Sequence, residues 1–118
     1  MPVYSGGQIV ERPAQQPTLT HRYIEKSVEF IRANRSRPFF LYFAPVAPHL
    51  PSTPAPEDVD RPIEPTWEVP PSFDEDDVSD KPGGGRAKRD PAGARSTREE
   101  MLRSLLAVDR AVEAILEA

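Results

Sequence analysis

The chain has 118 residues, a formal net charge of −4 at neutral pH, no cysteine and 15 prolines. This length allows one domain at most, and a small negative charge disfavours a nucleic-acid partner. Without cysteine there is no disulfide, thiolate metal ligand or cysteine nucleophile, and no apolar run approaches the roughly 18 residues of a membrane span. A 37% hydrophobic fraction with so much proline predicts a poor independent core.

Residues 1–17 predict a loop or a disordered segment. They contain Gly6, Gly7, Pro13 and Pro17 and show no regular hydrophobic period. A basic region followed by an apolar core is also missing, so we expect no secretory signal peptide in this stretch.

Residues 18–37 contain no proline and predict the first helix. One apolar stripe recurs at helical spacing: Ile24, Val28 and Ile31. Thr20 has a suitable side chain for the N-cap. The helix is expected to end near Asn34, because the residue before Pro38 is pushed out of the α region.

The next segment, Phe39 to Ala44, is an unbroken apolar run rich in aromatic side chains. Such a run is typical of a strand buried on both faces of a parallel sheet between helices. Pro45 ends it, because proline cannot donate to a sheet ladder. His49 follows in a proline-rich turn, just beyond the carboxyl end of the strand, where open α/β sheets place their ligand crevices.

Residues 50–71 are proline-rich and acidic, which excludes a long helix or a central strand. We expect this segment to run over a surface, with Trp67 and Phe73 as its large apolar anchors. The acidic cluster Asp74 to Asp77 carries oxygen ligands but lacks the spacing of an EF-hand loop, so a solvated loop is favoured over a calcium site.

A basic and glycine-rich stretch, Lys81 to Arg95, leads into the C-terminal helix. Ser96 and Glu99 have the spacing of a capping box and predict the helix start. From there to Ala118 apolar residues recur at alternating spacings of four and three, which predicts a core-facing stripe: Met101, Leu105, Val108, Val112 and Ile115.

The predicted order is therefore helix, buried parallel strand, long irregular crossover and helix. One strand cannot make a sheet, and the sequence supplies no second strand of comparable quality. The pattern predicts a piece of a larger α/β fold.

Three stretches resemble the sulfatases, whose fold is that of the alkaline phosphatase superfamily. Arg37 to Pro51 is similar to the family's strand "PFFLY" with its following "APH" and proline-rich loop. Ser72 to Pro82 is similar to the loop "F-N-E-x-D-V-S-D-K-P" of arylsulfatase-like and N-acetylglucosamine-6-sulfatase-like members, and Leu102 to Val112 to the helix "SLLAVDEAVG". The resemblance implies a fragment of an alkaline-phosphatase-like sandwich, in which residues 18–118 are an internal segment of the N-terminal catalytic domain.

From the residues alone, His49 either bonds the backbone and faces solvent or is an imidazole that protonates a leaving oxygen. The resemblance implies the second role, because the "APH" histidine of sulfatases contacts the sulfate group and helps to stabilise or protonate the leaving alkoxide. Lys81 is a weaker candidate for a substrate-facing cation, against the default of a charged loop residue. His21 is interpreted as structural, and Asp109 either anchors its helix or faces solvent.

The resemblance also implies what chemistry the family performs. Sulfatases hydrolyse sulfuric esters, such as aryl and sugar sulfates, with a formylglycine made from the Cys or Ser of a C/S-x-P-S-R element. A Ca²⁺ or Mg²⁺ ion, held by an Asp pair near the start of the domain and by the Asp-Asn pair on the strand that follows a segment like this one, neutralises the sulfate oxygens. The present sequence contains none of these elements, so we expect the chain alone to bind no metal and to hydrolyse no sulfate ester. Most family members work outside the cytoplasm or in lysosomes.

Two other interpretations remain open. Pro45, Pro48, Pro51 and Pro54 recur with the period of polyproline II, which SH3 and WW domains recognise. Against this binding segment, the prolines follow directly on a very apolar run and include no basic residue to orient a partner. A helical pairing module built on residues 101–116 is the other alternative, although any core-facing helix has the same spacing.

Overall fold

The computed structural model describes residues 2–64, 67–73, 75, 77–80 and 90–118. Within these residues the fold is mixed α/β, with two strands in one antiparallel sheet and two α-helices. The strands are β1 (Val3–Ser5) and β2 (Gln8–Glu11), and the helices are α1 (Gln16–Asn34) and α2 (Pro91–Glu117). A 3-10 turn, Pro56–Asp58, interrupts the proline-rich segment between the helices.

A β-hairpin occupies most of the N-terminal stretch for which the sequence predicted a loop. Tyr4 of β1 pairs with Ile9 of β2. The turn between the strands consists of Gly6 and Gly7, with φ angles of 56° and 79°. Positive φ at both positions suits a two-residue hairpin turn and is readily adopted by glycine, so this pair marks a reversal of the chain rather than a linker.

Helix α1 ends at Asn34, as predicted, but begins earlier than expected. Its N-cap is Gln15, and Pro17 lies in the first turn, where a missing N–H breaks no helical bond. Thr20, the predicted N-cap, is instead buried inside the helix. At the other end the Asn34 side chain donates to the Phe30 carbonyl at 2.7 Å and so satisfies one of the last acceptors.

The strand predicted for Phe39 to Ala44 does not form, and this expectation was wrong. These residues pair with no strand in the described part of the chain, and the side chains of Phe40 and Tyr42 are 85% and 81% exposed. Phe39 retains one contact, edge-on to Phe30 with ring centroids 5.7 Å apart. A strand buried on both faces needs neighbouring strands and covering helices, and here the described strands pair only with each other.

Helix α2 also begins earlier than the sequence predicted. The side chain of Asp90 accepts a hydrogen bond from the Gly93 amide at 2.9 Å, and Pro91 occupies the first turn. The predicted capping residues Ser96 and Glu99 therefore lie within the helix. Neither α1 nor α2 is long and apolar enough to cross a bilayer.

The helices pack through a face of α2 that differs from the predicted stripe. Its buried residues are small: Ser104, Ala107 and Ala111. One member of the predicted stripe, Val112, is 48% exposed. Small side chains let the helix backbones approach, while most of the larger apolar side chains of the predicted stripe are only partly buried.

The molecule is elongated for its length. Its radius of gyration is 19.0 Å, with principal extents of 60 × 31 × 28 Å. A compact domain of this length would have a radius of gyration of about 13 to 14 Å. The packing of α1 on α2, and of the 3-10 turn on α2, positions the candidate site.

Candidate functional site

His49 lies at the surface in a tight turn that follows the aromatic segment. Its backbone N–H donates to the Val46 carbonyl at 2.8 Å. The Ser52 hydroxyl donates to the Pro48 carbonyl, also at 2.8 Å. These two hydrogen bonds join residues that precede His49 to His49 itself and to Ser52. Local hydrogen bonding, rather than pairing in a sheet, therefore fixes the turn.

The imidazole of His49 has one nitrogen engaged and one available. Nδ1 lies 2.7 Å from the Leu50 carbonyl oxygen, which can only accept, so Nδ1 carries a proton. Within the described residues Nε2 has no hydrogen-bond partner. A neutral ring can therefore accept a proton at Nε2, and an imidazolium can donate from it.

A small cavity separates the His49 turn from the helices. Its volume is about 20 Å³, and its lining includes Leu19 and Thr20 of α1 and Ser104 of α2. A space of this size holds a single water molecule. A larger ligand, such as a sulfate ester, would have to reach the ring from the solvent side.

A second polar cluster joins both helices to the 3-10 turn. Asp58 is completely buried, and Arg110 of α2 donates to both of its oxygens, from Nη1 at 3.0 Å and from Nη2 at 2.5 Å. Arg110 Nη2 also donates to Glu57 Oε1 at 2.9 Å, and His21 Nε2 of α1 lies 2.7 Å from the same oxygen. Bidentate pairing of a guanidinium with a carboxylate is stronger than a single hydrogen bond and also fixes the relative orientation of the two groups.

The charges of this cluster support one another. The hydrogen bond with Asp58 is the main cause that raises the pKa of Arg110 above its ordinary value. Glu57 has a lowered pKa, first because of its own backbone N–H and then because of His21 and Arg110. Glu57 and Arg110 are therefore both held in their charged forms at neutral pH.

Arg103 gives the same segment a second anchor on α2. Its Nε donates to the Arg61 carbonyl at 2.9 Å. Arg103 and Arg110 lie about two helical turns apart, so they project from the same side of the helix. Together they bind both ends of the segment 57–61, which belongs to the stretch predicted to run over a surface.

Of the other residues singled out in the sequence, His21 lies in the polar cluster beside Glu57, and Asp109 is exposed on α2. Lys81, together with Asp74 and Asp76 of the acidic cluster, lies outside the described residues. Asp58 and Arg110 carried no local sequence signal, because their pairing joins residues 52 positions apart.

No metal centre is formed by the described residues, among which no three His, Asp or Glu side chains come together to hold an ion. Ca²⁺ and Mg²⁺ require several converging oxygen ligands.

An available imidazole nitrogen on an exposed turn is the kind of group that hydrolases use to bind an anion or to protonate a leaving oxygen. The sequence profile of the Sulfatase family matches residues 4–118. This match spans nearly the whole chain, so the chain belongs to the sulfatase family, a family of sulfuric ester hydrolases.

A curated relative agrees with this assignment. The chain is similar to arylsulfatase G of the dog, Canis lupus familiaris, with 38% identity over 53 residues. The aligned region covers 43% of this chain and 10% of the relative, so the match spans about a tenth of the relative's length. No solved structure gives a significant match.

Proposed function

We propose that residues 18–118 are an internal segment of a sulfatase catalytic domain with an alkaline-phosphatase-like α/β sandwich, and that His49 contacts the sulfate ester. The observation that carries this proposal is the state of the His49 ring. Its Nδ1 proton is donated to the Leu50 carbonyl, while Nε2, on an exposed turn, has no hydrogen-bond partner among the described residues. The substrate class is an aryl or sugar sulfate.

His49 would act through Nε2. As an imidazolium, the ring donates a hydrogen bond to a sulfate oxygen or to the ester oxygen. As the nucleophile of the intact enzyme bonds to sulfur, the S–O bond to the ester oxygen breaks; its electron pair goes to that oxygen, which takes the proton from Nε2 and leaves as an alcohol. Proton transfer of this kind contributes about 10² to 10⁴ in rate.

Exposed apolar side chains support the assignment to an internal segment. Phe40 and Tyr42 are exposed within the aromatic run that sulfatases place in a strand. Large contiguous apolar surfaces are rarely exposed to solvent in a complete soluble domain. In the intact sulfatase these side chains would be covered by neighbouring parts of the sandwich.

The nucleophile and the metal belong to parts of the family that this sequence does not contain. No C/S-x-P-S-R element occurs in it, and the described residues form no metal-binding group. The Ca²⁺ or Mg²⁺ of the intact enzyme would be held by those other parts. The chain alone is therefore proposed to be inactive.

The burial of the proline-rich segment weighs against a binding segment for SH3 or WW domains. Ser52 and Ala55 are buried, and Pro56–Asp58 forms a 3-10 turn against the helices. A polyproline ligand must instead present an open, extended face to an aromatic groove. The docked segment is better explained as support for the His49 turn.

The direct test is a chimeric enzyme in which residues 4–118 replace the matching segment of an active arylsulfatase. His49→Ala should lower kcat/KM for 4-nitrophenyl sulfate by about 100-fold or more, because the proton donor is lost. Arg95→Met is the matched control, since Arg95 is exposed on α2 away from the turn. Equal activities of the two variants would contradict the role of His49.

A further inference from the structure

We infer that Arg110 is a positioning residue for His49: through its bond to the buried Asp58 it holds residues 52–58, and with them the turn that carries the imidazole. This inference rests on the proposed function of His49. It assigns a role to a helix residue that does not itself touch the substrate.

The first step is the burial of Asp58. Its carboxylate is completely excluded from water, and both oxygens accept from Arg110. A carboxylate in such a place must be paired, because its lost hydration is otherwise uncompensated. The position of the 3-10 turn is therefore tied to the Arg110 guanidinium.

The second step is the path from Asp58 to His49. The Asp58 amide donates to the Ala55 carbonyl at 2.9 Å, and Ala55 is buried. Ser52 is buried too and donates to the Pro48 carbonyl, which directly precedes His49. Each link is a hydrogen bond or a buried side chain, so a shift of the 3-10 turn would be passed to the His49 backbone.

The third step is the location of the anchors. Among the described residues, the polar side-chain contacts from the helices to residues 46–61 come from His21, Arg103 and Arg110, and all of them fall on residues 57–61. The His49 turn itself has no such anchor. Of the three contacts, only that of Arg110 reaches a completely buried group, so its loss should displace the segment most.

The test is NMR of the full isotope-labelled chain, which needs no enzymatic activity. In Arg110→Met, the ring and backbone signals of His49 should shift. Amide hydrogen exchange at Thr53 and Asp58 should rise by about tenfold or more, because the segment opens locally. The control Arg95→Met should change none of these signals.

A conservative variant distinguishes the positioning of His49 by Arg110 from a general contribution of Arg110 to the stability of the fold. Arg110→Lys keeps the charge but cannot bond both oxygens of Asp58, so its effects on His49 should be intermediate. The inference is overturned if the ring and backbone signals of His49 are unchanged in Arg110→Met. If Arg110→Met does not fold, Asp58→Asn removes the buried charge at constant shape and should shift the same His49 signals. Unchanged His49 signals in Asp58→Asn would also overturn the inference.

The chimeric arylsulfatase then distinguishes this inference from the proposed function. Arg110→Met should lower kcat with little change in KM, and Arg110→Lys should restore part of it. If His49→Ala is fully active, the proposed function fails, while the NMR result still decides whether Arg110 positions the turn. If His49→Ala is impaired but Arg110→Met is fully active, the positioning role alone fails.

Discussion

Asp58 is completely buried and receives two hydrogen bonds from Arg110, which lies 52 residues later in the chain. Removal of Arg110 leaves this carboxylate without its partner. We therefore expect Arg110→Met to lower the free energy of unfolding by about 2 to 4 kcal/mol, as measured by urea unfolding at pH 7.

A double variant gives the control for this prediction. Replacing both partners, as in Asp58→Leu with Arg110→Leu, removes the buried charge together with its counterion. Exchange of a buried ion pair for apolar side chains is often neutral or stabilising. The double variant should thus recover most of the lost stability; additive losses would show that the two residues act independently.

The charge state of Glu57 gives a prediction about pH. The pKa of Glu57 is lowered below its ordinary value of 4.5, first by its own backbone N–H and then by His21 and Arg110. A carboxylate with a lowered folded-state pKa stabilises fully above the ordinary value, and this contribution is lost as the pH falls through the folded-state pKa. Carbon-13 titration of the carboxyl group should therefore show a Glu57 pKa below 4.5.

Variants of the neighbours test the causes of this shift. In His21→Ala and in Arg110→Met the pKa of Glu57 should rise but stay lowered, because the backbone N–H remains. A pKa that does not move in either variant would mean that the cluster seen here does not persist in solution.

The start of helix α2 can be tested with two substitutions. Asp90→Ala removes the side chain that accepts from the Gly93 amide, and should cost about 0.5 to 2 kcal/mol. Ser96→Ala removes the residue that the sequence favoured as the cap, but Ser96 lies inside the helix, where alanine is the better helix former. Thermal unfolding that ranks the two variants in the opposite order would place the helix start at Ser96.

The helix interface should be sensitive to added volume on its small-residue face. Ala111 has no exposed surface, so Ala111→Leu should destabilise by about 1 to 3 kcal/mol through overpacking. Its neighbour Val112 is half exposed, and Val112→Ala should change stability by less than about 1 kcal/mol. A larger cost at Val112, measured by urea unfolding, would favour the apolar stripe that the sequence predicted.

The isolated chain should hydrolyse no 4-nitrophenyl sulfate, with or without Ca²⁺. The physical reason is that the sequence contains no C/S-x-P-S-R element to supply a nucleophile for the proposed proton donor, His49. Release of nitrophenol above the buffer rate that disappears in His49→Ala would contradict this expectation.

Local sequence signals were sufficient for several features of the protein. Pro38 restricts the residue before it, and helix α1 ends at Asn34 as that restriction predicts. The proline-rich turn that contains His49 and the sulfatase motifs could also be read from neighbouring residues. Such signals depend on backbone geometry within a few positions, so they hold wherever the segment packs.

The partners of each segment were decided by the tertiary structure. The sequence does not reveal that α2 buries Ala107 and Ala111 more deeply than its larger apolar stripe. Nor does it show that Asp58 finds Arg110, or that the aromatic segment before His49 is left without a sheet. These outcomes depend on the free energy of burying one surface against another, and on which distant residues are present to cover it.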